Sequence, residues 1–364
     1  MRVGIDGSRL GGQSSGIGRY LSGLLAPLDA VMPEAEFFIY TKRRSELQLP
    51  SKRWTAQHDA SRAASRMPNV LWTRLRLGMI AARDRLDVFW AANTLVPKGL
   101  GSTPVVATVY DLNHMLIPQS MSIVNRLSHR LWLAGDLKRA HTVVSISHGT
   151  SSRMQAALGR QADFVAQPGI PLAGLTLAPD EIDHALDELA VHCPYLLAVG
   201  TREPRKNLAA TIEAVAKLKI ADAAFTNHRL VLAGGKGWGN DPVSRAAPDW
   251  VQPLGYVSDR HLIALYSRAA AFVFPSLYEG YGIPVSEALL FGCPVVATDI
   301  PELREAGNSQ VVYVSAQAEA IAAGIRLALA RSRPTPSRQS HDWESSARVM
   351  RDALYRAAGR VQRA

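Results

Sequence analysis

Cysteine is nearly absent from this chain: its 364 residues include two, Cys193 and Cys293, each followed by proline and each beside an apolar run. That pattern argues against a disulfide framework or a thiolate metal site and suits small buried side chains. Long hydrophobic runs are missing as well. No stretch approaches the roughly 18 apolar residues that a membrane-crossing helix requires. The opening residues, MRVGIDGSRLGG, turn glycine-rich at once, without the apolar core of roughly 7 to 15 residues that marks a signal peptide. A cytoplasmic protein is the expectation. Compositional bias is lacking too: 47% hydrophobic and 20% charged residues match an ordinary globular chain and give no case for disorder, collagen or a coiled coil.

What is present is basicity, and it is uneven. The formal net charge is +10, and residues 1–170 carry 21 Lys and Arg against 11 Asp and Glu, 21 − 11 = +10, so the remainder is close to neutral. Between Lys42 and Arg85 lie eleven basic residues against three acidic ones, with Trp54, Met67, Trp72, Leu75, Leu77 and Met79 interleaved. Basic and apolar residues together suit an anionic bilayer surface, and a solvated arginine-rich helix face is the plainer alternative.

The length suits two domains of roughly 150 to 200 residues. In the first half, apolar runs at 2–5, 36–40, 88–90, 105–109 and 142–146 alternate with helical patterns at 18–28, 70–83, 123–137 and 149–158. Strands alternating with helices imply a parallel sheet covered on both faces. The alternation restarts at Tyr195, with strands at 195–199, 229–232, 271–274, 295–297 and 311–314 and helices at 208–219, 259–267, 284–290 and 318–329. The expected fold is α/β, with two facing Rossmann-like domains and the active site in the cleft between them. Residues 1–170 are expected to form the first domain, 171–190 a linker, 191–345 the second domain, and 346–364 a C-terminal helix packing back on the first domain.

The segment SLYEGYGIPVSEALLFGCPVVATDIPEL, Ser276 to Leu303, carries the most chemistry. After an apolar strand it turns through Gly280 and Gly282 and enters a helix whose first position Pro284 can take. Glu279 then falls in the loop and Glu287 in the first helical turn. Glycines flanking Tyr281 let backbone N–H groups approach a ligand. A first-turn glutamate also serves simply as a partner of the helix macrodipole.

Glu279 and Glu287, separated by seven residues within EGYGIPVSEALLFGCPVVAT, resemble the paired-glutamate motif of the retaining glycosyltransferase family 4, whose members have the two-domain B-type fold. The segment YLLAVGTREPRKNL resembles that family's strand, glycine turn and basic pair at Gly200, Arg205, Lys206 and Asn207. A departing nucleoside diphosphate develops negative charge that a fixed Arg and Lys stabilise without a metal. VLAGGKGW, from Val231, and LGYVSDRHLIALYSRA, from Leu254, extend the likeness over most of the C-terminal half.

The resemblance implies that Glu287 holds the ribose hydroxyls, Glu279 the transferred sugar together with backbone at Gly280, Tyr281 and Gly282, and Tyr256 and Val257 the base. In the first half it implies that the loop Arg9 to Tyr20 meets sugar and acceptor through Gly16 and Gly18. It also implies that Asp111 positions the acceptor or stabilises developing positive charge. Tyr110 stands where the family pattern has histidine, and His114 is a candidate to replace it. No nucleophile is required, no Asp-x-Asp element exists to hold a divalent metal, and no cofactor is expected. The implied partners are a nucleotide-sugar donor, GDP-mannose foremost by likeness to bacterial mannosyltransferases of surface-polysaccharide assembly, and a saccharide acceptor linked to polyprenyl lipid. The enzyme would then lie on the inner face of the cytoplasmic membrane. Two other classes compete. A nucleic-acid-binding protein would explain the basic half but shows none of the usual signatures. Another nucleotide-sugar enzyme on the same fold, such as an epimerase, would need a dinucleotide fingerprint and a Tyr-x-x-x-Lys pair, which are missing.

Overall fold

The computed structural model describes residues 1–11, 16–44, 46–117, 123–192, 194–237, 247–307, 309–336 and 342–360. Part of the loop Arg9 to Tyr20, Cys193, Trp238 and the last four residues of the expected C-terminal helix lie outside them. The chain forms two compact units, one built from Met1–Met115, Ile123–Pro171 and His341–Ala364, the other centred on Leu172–Ser340.

The first unit holds a seven-stranded sheet: β1 (Arg2–Asp6), β2 (Glu36–Thr41), β3 (Trp54–His58), β4 (Val88–Ala91), β5 (Val105–Val109), β6 (Thr142–Ser145) and β7 (Phe164–Val165). All neighbours pair parallel, in the order β3-β2-β1-β4-β5-β6-β7. The interior strands are buried almost throughout, as their apolar runs require. The second unit holds six parallel strands: β8 (Tyr195–Val199), β9 (Arg229–Ala233), β10 (Val251–Gly255), β11 (Ala271–Phe274), β12 (Val295–Thr298) and β13 (Val312–Val314). Their order is β10-β9-β8-β11-β12-β13. In both sheets the order reverses beside the first strand, between β1 and β4 and between β8 and β11. Loops splay apart at such a point, and ligands of doubly wound folds sit there, beyond the carboxyl ends of the strands.

Three expectations change. The helix expected over 70–83 is broken into Asn69–Trp72, a π turn at Thr73–Leu77, Gly78–Ala81 and a 3-10 turn at Ala82–Asp84. The cause lies inside the unit. Arg74 is turned into the core, 2.6 Å from Asp136, and a Cβ at Gly78 would stand 2.1 Å from the Lys98 carbonyl oxygen, so the backbone is pressed too closely for a regular helix. The span 171–190, expected as a linker, contains the helix Pro179–Glu188, which belongs to the second unit. Its Glu188 and Asp183 meet Arg260 at 2.6 Å and Arg268 at 2.9 Å on the helix Asp259–Arg268. The C-terminal helix starts at Trp343 rather than 346.

That last helix, Trp343–Ala357, packs on the helix Gly16–Val31. A Cβ on Gly23 would come within 2.5 Å of the Trp343 ring, and one on Gly169 within 2.6 Å of its backbone nitrogen. Tyr20 meets the indole edge-on at 5.9 Å. Removing a large ring so closely enclosed costs about 3 kcal/mol, the low end for aromatic truncation because Trp343 is only half-buried. Trp343→Ala is expected to lower the unfolding midpoint in urea accordingly. An unchanged midpoint would mean the helix contributes little to the first unit.

The basic stretch is less of a surface than its composition suggests. Trp54, Trp72 and Leu77 are buried. Arg53 donates to the carbonyls of Asp29, Met32 and Ala35, and Arg76 pairs with Asp59 at 2.6 Å. Leu75 and Met79 remain exposed. Among the described residues no helix is long and apolar enough to cross a membrane.

Candidate active site

In the second unit the loops leaving β8, β9 and β11 converge at the point where the strand order reverses. Gly200 follows β8 with φ +136° and Gly234 follows β9 with φ +146°. A Cβ on Gly234 would lie 2.1 Å from the Gly200 carbonyl oxygen, so these two loops touch backbone to backbone and only glycine allows it. Beyond Gly200 the chain makes a short 3-10 turn, Pro204–Lys206, and Asn207 adopts the left-handed conformation at φ +55° before the helix Leu208–Ala221 begins. The Asn207 side-chain amide donates to the Ala316 carbonyl at 2.8 Å and fixes this corner. Leu277 N–H donates to the Arg205 carbonyl at 2.8 Å, tying the basic turn to the loop after β11.

This framework brings Arg205 and Lys206 onto Glu279. Lys206 Nζ lies 2.7 Å from Glu279 Oε1, and Arg205 Nη1 lies 2.5 Å from Glu279 Oε2. Arg205 also donates to the Tyr278 carbonyl at 3.1 Å, and its Nη2 meets Glu203 Oε1 at 2.6 Å. Lys206 rests over the Phe274 ring, 4.4 Å from its centroid, and its stem fills the space beside Gly200, with Cε 3.0 Å from where a Cβ would be. Glu203, Lys206 and Glu279 are each less than a tenth exposed. Burial works against the charge on Glu279, yet Arg205 and Lys206 outweigh it and hold its carboxyl at about 2. Burial lowers the Lys206 ammonium below the ordinary lysine range, and Glu279 opposes that shift. Two cations and two carboxylates thus form a neutral, nearly dry quartet.

Glu287 lies on the helix Ile283–Leu290, one residue longer at its start than expected, which puts Glu287 in the second turn rather than the first. Gly282 opens this helix at φ +114°, where a Cβ would come 2.5 Å from Leu303 Cδ2. Glu287 is 2% exposed, and Tyr266 O–H donates to its Oε2 at 3.2 Å. Tyr281 is buried, Val257 borders on burial, and Tyr256 is half-exposed just after β10. Sequence reasoning missed Glu203, Tyr266 and Phe274. Glu203 stands inside the quoted EPRK run, but its pairing with Arg205 is visible only in three dimensions.

The remaining candidates belong to the first unit. Asp111 accepts from Asn113 N–H at 3.1 Å and from its side-chain amide at 2.9 Å. Tyr110 is buried, donating its hydroxyl to the Ala92 carbonyl at 2.9 Å. Burial and the neighbouring His129 bring His114 down to about 4, so it is neutral at pH 7. Gly18 is buried and Gly16 exposed on the helix Gly16–Val31.

Comparison with known proteins supplies an independent line. The family "Glycosyl transferases group 1" matches residues 187–350, a span that contains Arg205, Lys206, Tyr256, Glu279 and Glu287. The chain is 38% identical over 141 residues to O-antigen chain mannosyltransferase B of Escherichia coli, covering 37% of this chain and 36% of that protein. It is 27% identical over 238 residues to the serotype-specific mannosyltransferase WbdA of Escherichia coli, covering 58% of this chain and 28% of that one. The chain therefore spans about a third of the length of these curated relatives. Among solved structures, a sucrose-phosphate synthase from Thermosynechococcus elongatus superposes with a TM-score of 0.72 at 17% identity, over 98% of this chain and 96% of the other. WaaG, a glycosyltransferase involved in lipopolysaccharide biosynthesis, does so with a TM-score of 0.66 at 18% identity, over 99% and 98%. The two Rossmann-like sheets have the two-domain B-type fold of these solved structures, and residues 187–350 match the group 1 glycosyl transferase family.

Proposed function

We propose that the protein is a glycosyltransferase of polysaccharide assembly that moves mannose from GDP-mannose to a saccharide acceptor, with retention at the anomeric carbon and without a metal. The observation that carries this reading is the basic pair beside Glu279, Lys206 buried and Arg205 partly so, where the β8 and β11 loops converge. In transfer the bond from the sugar C1 to the β-phosphate oxygen breaks, and a bond from the acceptor hydroxyl oxygen to C1 forms on the same face. The acceptor proton passes to the departing phosphate oxygen. Charge grows on the diphosphate as this happens, and preformed cations in a dry site stabilise it strongly. Glu287 receives the ribose hydroxyls, Glu279 the sugar, and Tyr256 and Val257 the base. Mannose is favoured because both Escherichia coli relatives are mannosyltransferases.

The acceptor in this reading is linked to lipid, and the enzyme rests on the cytoplasmic membrane face. Support comes from the first unit, where Leu75, Met79, Leu127 and Leu131 are exposed apolar side chains and Arg126 and Arg130 are exposed on the same helix as the last two. Arg74 joins the two segments by stacking 5.0 Å from the Trp132 ring centroid. Of the basic residues behind the nucleic-acid alternative, Arg53, Arg74 and Arg76 are committed to partners within the unit.

Proton NMR of the product formed from GDP-mannose in the presence of EDTA tests the reading. An α-mannoside formed at an undiminished rate is expected. A β-product, or activity that EDTA abolishes, would overturn the mechanism.

A further inference from the structure

Glu287 is buried on the helix Ile283–Leu290, and the hydroxyl that reaches its Oε2, at 3.2 Å, comes from Tyr266 on a different helix, Asp259–Arg268. A glutamate has a long, rotatable stem. Ordering that stem at the moment of binding would weaken the ligand, whereas a carboxylate already held in one place binds without that loss. Tyr266 stands where it can do the holding.

The tyrosine is itself fixed on every side. It is wholly buried, edge-on to Phe272 with ring centroids 5.4 Å apart and stacked on Phe291 at 6.3 Å. Its backbone belongs to the last turn of its helix, whose carbonyls cannot pair within the helix. Arg333 donates to three of them, Ser267 at 2.6 Å, Ala269 at 3.1 Å and Tyr266 at 3.2 Å. Tyr195 O–H donates to a fourth, Leu265, at 2.8 Å. On β11, Phe272 is packed 5.4 Å from Phe274, and Lys206 lies over the Phe274 ring. One run of rings therefore leads from the partner of Glu287 to Lys206.

Packing accounts for the ring but not for the hydroxyl. Phenylalanine would fill the same slot, so the O–H is the part of this side chain that its aromatic neighbours do not require. A carboxylate offers about four acceptor positions and the hydroxyl takes one, which orients Glu287 and leaves capacity for a ligand. We infer that Tyr266 is a positioning residue of the nucleotide site: its hydroxyl sets the Glu287 carboxylate for the ribose diol. Being wholly buried, it acts through Glu287 rather than by contact with the nucleotide. The inference rests on the reading in which Glu287 receives the ribose hydroxyls. A contact of 3.2 Å is long for a hydroxyl on a carboxylate, which places the expected effect at the low end for a charged acceptor, about tenfold in affinity.

The test is calorimetric titration of the full chain with GDP and UDP, and with the 2′,3′-dideoxy form of each, for the wild type, Tyr266→Phe, Glu287→Ala and the double variant. The wild type is expected to prefer one nucleotide over its dideoxy form. Tyr266→Phe should weaken that nucleotide about tenfold, leave the dideoxy form unchanged, and cost nothing further once Glu287 is alanine. In turnover, the KM for the nucleotide sugar should rise while kcat stays within about twofold, since every ring contact on the way to Lys206 is kept. A hydroxyl with a purely structural role would weaken both forms alike or neither, and either result overturns the inference. Tyr266→Met, which also lacks the hydroxyl and adapts to an irregular slot, carries the test if Tyr266→Phe does not fold. Failure of both to fold would assign the hydroxyl to the core and overturn the positioning role. Failure of the underlying reading looks different, because the wild type itself then binds no nucleotide or does not distinguish it from the dideoxy form.

Discussion

Lys206→Ala is expected to lower the rate of sugar transfer by about 10²–10³-fold, the loss that follows removal of one preformed charge-stabilising donor. The ammonium sits between Phe274 and Glu279 with its stem against Gly200, so truncation removes the charge from that slot. Lys206→Arg should not rescue it. The stem already stands 3.0 Å from the Cβ position at Gly200, and a planar guanidinium needs a wider, flatter slot than a point ammonium. The truncation also leaves Glu279 buried with half its compensation. Breaking a buried ion pair from one side typically costs about 3–5 kcal/mol, so the variant should be less stable as well as slower. Lys217→Ala is the control. It removes an exposed lysine paired with Glu213 and Glu319 on the surface, and neither rate nor stability should change measurably. A Lys206→Ala enzyme with near-normal turnover would remove the basic pair from the mechanism.

Glu279→Gln should separate binding from transfer and alter the response to acid. The carboxyl is held at about 2 by Arg205 and Lys206, against an ordinary value near 4.5. A carboxylate depressed in the folded state stabilises the protein above its unfolded pKa, and the contribution fades as pH falls through the folded value. The gap in unfolding temperature between wild type and Glu279→Gln should therefore be wide at pH 7, narrow from about pH 4.5 downward, and close near pH 2. The same substitution leaves Glu203 as the one carboxylate of the quartet and alters the group proposed to meet the transferred sugar, so the loss should appear in kcat of transfer rather than in affinity for free GDP. A gap that stays constant across this pH range would mean that Glu279 carries no coupled charge.

How much of this was legible beforehand follows from burial. The interior strands β1, β2, β4, β5, β6, β8, β9, β11 and β12 announce themselves as apolar runs because both faces of each are covered. The strands that escaped notice, β3, β7 and β10, are all sheet edges. β3 is mostly exposed, β7 is two residues long, and β10 carries Pro253, which an edge tolerates. The motifs of the candidate site were legible because glycine turns and charged pairs at fixed spacing have few other uses. Glu203 and Tyr266 were not, since their significance depends on partners supplied by the fold: Arg205 across a proline turn, and Glu287 from another helix. The broken helix after Asn69 escaped for a similar reason. Arg74 looks like surface charge until Asp136, 62 residues away, is seen to claim it.

The central claim is that Arg205, Lys206, Glu279 and Glu287 form the donor site of a glycosyltransferase. Turnover of a panel of GDP-, UDP- and dTDP-sugars by the wild type and by Glu287→Ala, with EDTA present throughout, tests it most directly. One nucleotide sugar, GDP-mannose, should be consumed by the wild type and left untouched by Glu287→Ala. If the wild type consumes none of the panel, or if Glu287→Ala matches it, the donor site is elsewhere and the account is wrong.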